Sequence, residues 1–121
     1  MDNSEILQHV KEMMADILAS PRWDNPDEPN PATIKHIGER VKSAESMQRI
    51  RENEDYVRLL NTVCYFEEAL NDDWMPFEIL GLPLGKARKF LSKLYQEFDN
   101  VQEGEWARTI KKIYQETGSL F

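Results

Sequence analysis

Apolar side chains recur at three- and four-residue spacing along five separate stretches of this chain, and no stretch alternates polar with apolar residues. That periodicity confines the chain to amphipathic helices, each of which must bury one stripe against another helix. The first stripe is Ile6, Leu7, Val10, Met13, Met14, Ile17 and Leu18, behind the candidate caps Asn3 and Ser4. Four prolines, Pro21, Pro26, Pro29 and Pro31, then exclude regular structure over a connector at about 20–31 that also carries Trp23. Asn30 followed by Pro31 reads as the cap and first residue of a second helix, with Ile34, Ile37, Val41, Ala44 and Met47 facing inward. The polar run 49–55 marks a bend or break.

A third helix carries Tyr56, Leu59, Leu60, Val63, Phe66 and Leu70 and stops at Asn71, Asp72 and Asp73. The connector after it, with Trp74, Met75, Pro76, Phe77, Ile79 and Leu80, is expected to form a dense apolar turn or short helix. Gly81, Pro83 and Gly85 punctuate its end. The fourth helix lines up Ala87, Phe90, Leu91, Leu94, Tyr95 and Phe98. The fifth lines up Trp106, Ile110, Ile113, Tyr114 and Thr117 and ends at Gly118, after which Leu120 is expected to pack back. These stretches predict an all-α fold: one domain over 1–121, of about five helices, bundle-like or orthogonally packed. A chain of 121 residues buries a sufficient core without disulfides or metals.

Cys64 is the single cysteine, which excludes an intramolecular disulfide and a dithiol or zinc motif and favours a reducing compartment. Residues 1–5 are polar and acidic and no apolar run is long enough to span a bilayer, so a cytoplasmic protein without membrane contact is expected.

Charge is unevenly divided. No Lys or Arg lies between Arg58 and Lys86; residues 1–83 hold eight bases against seventeen acids, and 84–121 hold seven against five. The chain is an electrostatic dipole with net charge −7, which disfavours nonspecific nucleic-acid binding and favours oriented encounter with a charged partner.

Residue types associated with catalysis are present, but their spacing argues against it. His9 with Glu12 and His36 with Glu39 stand one helical turn apart, yet both carboxylates turn away from the apolar stripes. Cys64 flanks an apolar stripe beside Glu67 and Glu68, where a thiol stays protonated, and no histidine or cation is near in sequence. Glu67 faces the core side; either it is a buried functional carboxylate or, near the helix end, it reaches solvent, a Tyr hydroxyl or an Arg. No phosphate loop, zinc motif or locally supported triad is present. No catalytic residue, metal or cofactor is assigned, and an enzyme is not expected.

Two surfaces remain. Tyr65, Glu68, Asp72, Asp73, Trp74, Phe77 and Glu78 combine acids with aromatics, which suits an adaptor, inhibitor or immunity-type regulator meeting a basic protein surface. Trp74 and Phe77 equally well roof the core, and Trp23 has the same two readings. The alternative is a nucleic-acid-associated regulator using Lys86, Lys89 and Lys93 on the fourth helix and Arg108, Lys111 and Lys112 on the fifth. Self-association through the heptad-like Leu7, Val10, Met14 and Ile17 is a third option, making a homo-oligomer possible by this reading, although intramolecular packing explains the stripe more simply.

The run LGLPLGKARKFLSKL, residues 80–94, resembles the start of the last helix in sterile alpha motif domains. The likeness lies in a Leu-Gly turn, a second glycine at Gly85 and hydrophobics at Phe90, Leu91 and Leu94. Ala87 stands where that pattern has a base. The resemblance implies helix-mediated oligomerisation; it covers fifteen residues, and no family is assigned on it.

Overall fold

Helical stripes have to find one another, and here three of them meet, together with Trp23, in a shared aromatic column. The computed structural model describes residues 2–118. These form α1 (Asn3–Leu18), a 3-10 turn (Pro21–Trp23), α2 (Ile37–Arg40), α3 (Ala44–Glu52) and α4 (Glu54–Asn71). The ribbon β1 (Glu78–Ile79) and β2 (Leu82–Pro83) follows, then α5 (Leu84–Glu97), a 3-10 turn (Phe98–Asn100) and α6 (Trp106–Gly118). The architecture is a single all-α domain in which α4 packs against α1, α3 and α6, and α5 packs against α1 and α6. Where α4 and α5 face each other, Phe66 stacks on Phe90 at 6.0 Å between ring centroids. Trp23 closes one end of the column against Phe66 at 6.3 Å, and Tyr114 meets Phe90 edge-on at 5.9 Å. Phe66, Phe90, Leu59, Leu91 and Leu94 are fully buried, each contributing about 1.5–3 kcal/mol of transfer free energy.

The helices begin where side chains satisfy their first amides. Asp2, rather than Asn3 or Ser4, caps α1 by accepting from the Glu5 amide at 2.9 Å. Ser43 caps α3, and Asn53 both ends α3 and caps α4 by accepting from the Asp55 and Tyr56 amides, so the bend read in 49–55 lies at Asn53. Asp55 then reaches across from α4 to accept from the amides of Gly104, Trp106 and Ala107, capping α6 through tertiary contact. The stripe Val10, Met14 and Ile17 is buried in the chain's own core, so α1 offers no heptad seam to another copy, and of the two readings of this stripe intramolecular packing is the one the fold uses.

The second predicted helix is also corrected. Residues 31–36 are not helical; α2 spans one turn, and α3 starts separately behind Ser43. Asn30 does not cap a helix, because its amide donates to the Leu70 carbonyl and to Asn71 Oδ1, and its own carbonyl oxygen accepts from the Ser20 hydroxyl. Asn71 in turn accepts from the Ile34 amide at 3.1 Å and donates to the Ile34 carbonyl at 2.9 Å, using both backbone groups a helix through Ile34 would need.

The connector 72–77 forms no helix, and a two-residue ribbon follows it with Glu78 opposite Pro83 and Ile79 opposite Leu82. Its turn holds Leu80 at φ 56° and Gly81 at φ 75°, the left-handed pair that a tight two-residue hairpin turn needs. The Tyr114 hydroxyl donates to the Leu80 carbonyl at 2.8 Å and holds that turn against α6. The expectation for Leu120 lies outside the described residues.

Candidate protein-binding surface

Tyr65 and Glu68 stand one turn apart on the open side of α4, and the helix runs on to the connector that carries Asp72, Asp73, Trp74, Phe77 and Glu78. All seven residues are exposed. Trp74 is 83% and Phe77 93% accessible, so neither roofs the core, and of the two sequence readings of this pair the covering one is removed. Trp23 takes the opposite role: it is buried, and its indole nitrogen donates to the Ile17 carbonyl at 2.9 Å.

Two further acids, Asp27 and Glu28, join Asp72 and Asp73 around a cleft of about 250 Å³ where the first connector meets the end of α4. At its base lies Arg22, buried, donating to the carbonyls of Leu70 (2.8 Å), Asp72 and Pro26. A guanidinium on the last carbonyls of α4 suits the negative end of the helix dipole and ties the acidic pole down. The sequence reading did not single out Asp27 or Glu28. No local pattern links Arg22 to carbonyls 48 and 50 residues onward.

The basic residues are arranged less favourably for a partner. Lys93 is paired with Glu116 at 2.7 Å and Arg108 with Glu105 at 2.7 Å, while Lys86 is half-buried. The Glu116 hydrogen bond holds the Lys93 ammonium above its usual range, and the same contact holds Glu116 below the usual carboxylate range. Lys89, Lys111 and Lys112 remain exposed. Lys111 and Arg108 turn toward Arg49 and Arg58 across an open cleft of about 960 Å³ at the start of α4 and α6, shared with Glu52, Glu54 and Asp55.

No histidine is near Cys64 in sequence, but the fold brings one beside it from 28 residues away: His36 Nδ1 lies 3.7 Å from Sγ. The same nitrogen stands 3.9 Å from Glu67 Oε2, so one ring atom faces both groups and no relay from carboxylate through imidazole to thiol exists. Burial, followed by the charges of Glu67 and Glu68, pushes the Cys64 thiol up to about 11, which leaves it protonated and unreactive at neutral pH. Glu67 is buried rather than solvated, and its partners are Asn71, which donates at 3.3 Å, and His36, in place of the expected Tyr or Arg. Burial raises its carboxyl above the usual range, opposed by His36 and the Asn71 hydrogen bond. His9 meets Glu12 at 3.4 Å on the outside of α1, and among the described residues no three His, Cys, Asp or Glu side chains converge as a metal-holding group. Also among the described residues, no helix is long and apolar enough to cross a membrane.

Compared with known protein families, curated proteins and solved structures, the chain matches none, so the surface itself has to carry the functional reading.

Proposed function

We propose that this protein is a non-enzymatic binding module, an adaptor, inhibitor or immunity-type regulator of the cytoplasm. It meets a basic protein surface through Tyr65, Glu68, Asp72, Asp73, Trp74, Phe77 and Glu78. The observation that carries this reading is the pair of presented aromatics: leaving Trp74 and Phe77 in water forgoes about 1.5–3 kcal/mol of burial each, and acids flank both. Aromatic anchors supply contact area on binding, while the surrounding carboxylates raise the association rate and select orientation. The basic faces of α5 and α6 support the nucleic-acid alternative less, because Lys93 and Arg108 are already paired within the chain.

Affinity capture from native lysate tests the reading, with the wild-type chain compared against W74A/F77A and against Lys89→Glu with Lys112→Glu. A stoichiometric protein, resistant to nuclease and lost only in W74A/F77A, is the expected result. Retention of nucleic acid that only the lysine variant loses would reject it.

A further inference from the structure

A second groove lies beside the acidic connector. Thr62 and Tyr65 of α4 form one wall and Ile110 and Tyr114 of α6 the other, with Phe90 and Leu80 between them. The groove holds about 400 Å³ and its exposed lining is mostly apolar. Arg58 and Lys111 stand at one end, and among the described residues neither is held in a salt bridge. The chain therefore owns both halves of a contact: an aromatic projection among Asp72, Asp73 and Glu78, and an aromatic-lined groove with a basic end. Its own Trp74 and Phe77 do not occupy the groove, being 83% and 93% accessible.

We propose that this groove receives the Trp74–Phe77 connector of a second copy of the chain. The inference rests on the reading of these two aromatics as contact residues and names a partner for them. Charge selects the docking. Two copies at net −7 repel in most orientations, and the acidic connector meeting Arg58 and Lys111 is an arrangement that turns this repulsion into local attraction at the basic site that has the aromatic-lined groove beside it. The groove can admit an aromatic anchor, and two anchors cover about 300–500 Å². That is less than the ~800 Å² per partner of a standard stable interface, so the contact is weak, reversible and concentration-dependent. Self-association also hides the surface offered to a heterologous partner, so that partner binding and dimerisation compete.

Sedimentation across about 1 μM to 1 mM tests this range of affinities. The wild-type mass is expected to rise from monomer toward dimer. W74A/F77A, which loses the projection, and Arg58→Glu with Lys111→Glu, which loses the basic end, are each expected to weaken association at least about tenfold. An equimolar mixture of the two variants is expected to form a heterodimer, because one intact projection then meets one intact groove. A wild-type chain that stays monomeric throughout, variants that associate as the wild type does, or a mixture that fails to pair would each overturn the proposal. The capture experiment fails separately. A partner lost in W74A/F77A alongside a strictly monomeric wild type removes the self-contact alone. Dimers that obey the mixing rule, alongside equal partner capture by both chains, remove only the heterologous reading.

Discussion

Two connectors of this molecule each carry a tryptophan among prolines and acids, and they use it in opposite ways. The first, between α1 and α2, turns Trp23 inward onto Phe66 and fixes its indole to the Ile17 carbonyl; the second, between α4 and β1, leaves Trp74 83% accessible. The difference lies in what each connector finds for its polar groups. Around the first, Arg22, Asn30 and Asn71 tie backbone carbonyls and amides across the end of α4, so the segment is anchored at Arg22, Asn30 and Ile34. In the second, Arg22 reaches only the first carbonyl, that of Asp72, and beyond it the Trp74 amide has a 3.5 Å approach to Asp72 Oδ1 within the connector itself. Of Trp74, Met75 and Phe77, only Met75 packs against the core. An irregular segment becomes part of the core when its backbone is satisfied by the core, and otherwise presents its side chains.

The largest effect that would break this contrast is at Trp23. Trp23→Ala is expected to cost about 3–5 kcal/mol by urea or thermal unfolding, the usual range for truncating a buried tryptophan. A loss near zero would mean that the first connector presents its tryptophan as the second does. Next comes the polar lattice. Arg22→Met leaves the Leu70, Asp72 and Pro26 carbonyls without their charged donor and is expected to cost about 1.5–3 kcal/mol. Asn71→Ala unpairs both backbone groups of Ile34 and is expected to cost about 1–3 kcal/mol, with faster amide exchange concentrated over 30–36.

This lattice also explains how far the sequence could be read. The stripes of α1, α4, α5 and α6 were legible because each presents a long apolar face, whereas the count of acids and bases along the chain did not show that Arg49 and Arg58 of its acid-rich part line one cleft with Arg108 and Lys111. Residues 31–43 were misread as part of one continuous helix because Ile34, Ile37 and Val41 do fall at helical spacing and all three are buried. What separates them into extended chain and one short turn is the Asn71 side chain, 37 residues away, competing for the Ile34 backbone. The projection was legible as residues and illegible as geometry, since composition cannot tell an aromatic that covers from one that protrudes. The groove was not legible at all, because Tyr65 and Tyr114 come to line one groove only once α4 and α6 are packed together.

A smaller effect sharpens the first connector through pH. Burial raises the folded Glu67 carboxyl above its ordinary 4.5, so between that value and the raised one the folded chain holds a proton that the unfolded chain has released. This contribution to stability is full below the ordinary carboxylate range and is lost as pH rises through the folded value. His36, Asn71, Glu68 and Glu39 set its extent. Glu67→Gln is expected to flatten that segment of the stability profile, read as urea midpoints from pH 4 upward, with a change smaller than that of Asn71→Ala. A wild-type midpoint that instead climbs through this window, with the climb lost in Glu67→Gln, would mean that the His36 attraction outweighs burial.

The smallest expected effect is the most discriminating for the second connector. Trp74→Ala and Phe77→Ala should each change stability by no more than about 0.5 kcal/mol, the range of exposed positions that make no buried contact. The same two changes, made together, are expected to remove partner capture and to weaken self-association at least about tenfold. Retained stability with lost binding is the signature of side chains kept outside the fold for contact, because a residue serving the core cannot be truncated without cost. Were either change to cost as much as Asn71→Ala, the connector would lie against the domain in solution, and the two connectors would differ in degree rather than in kind.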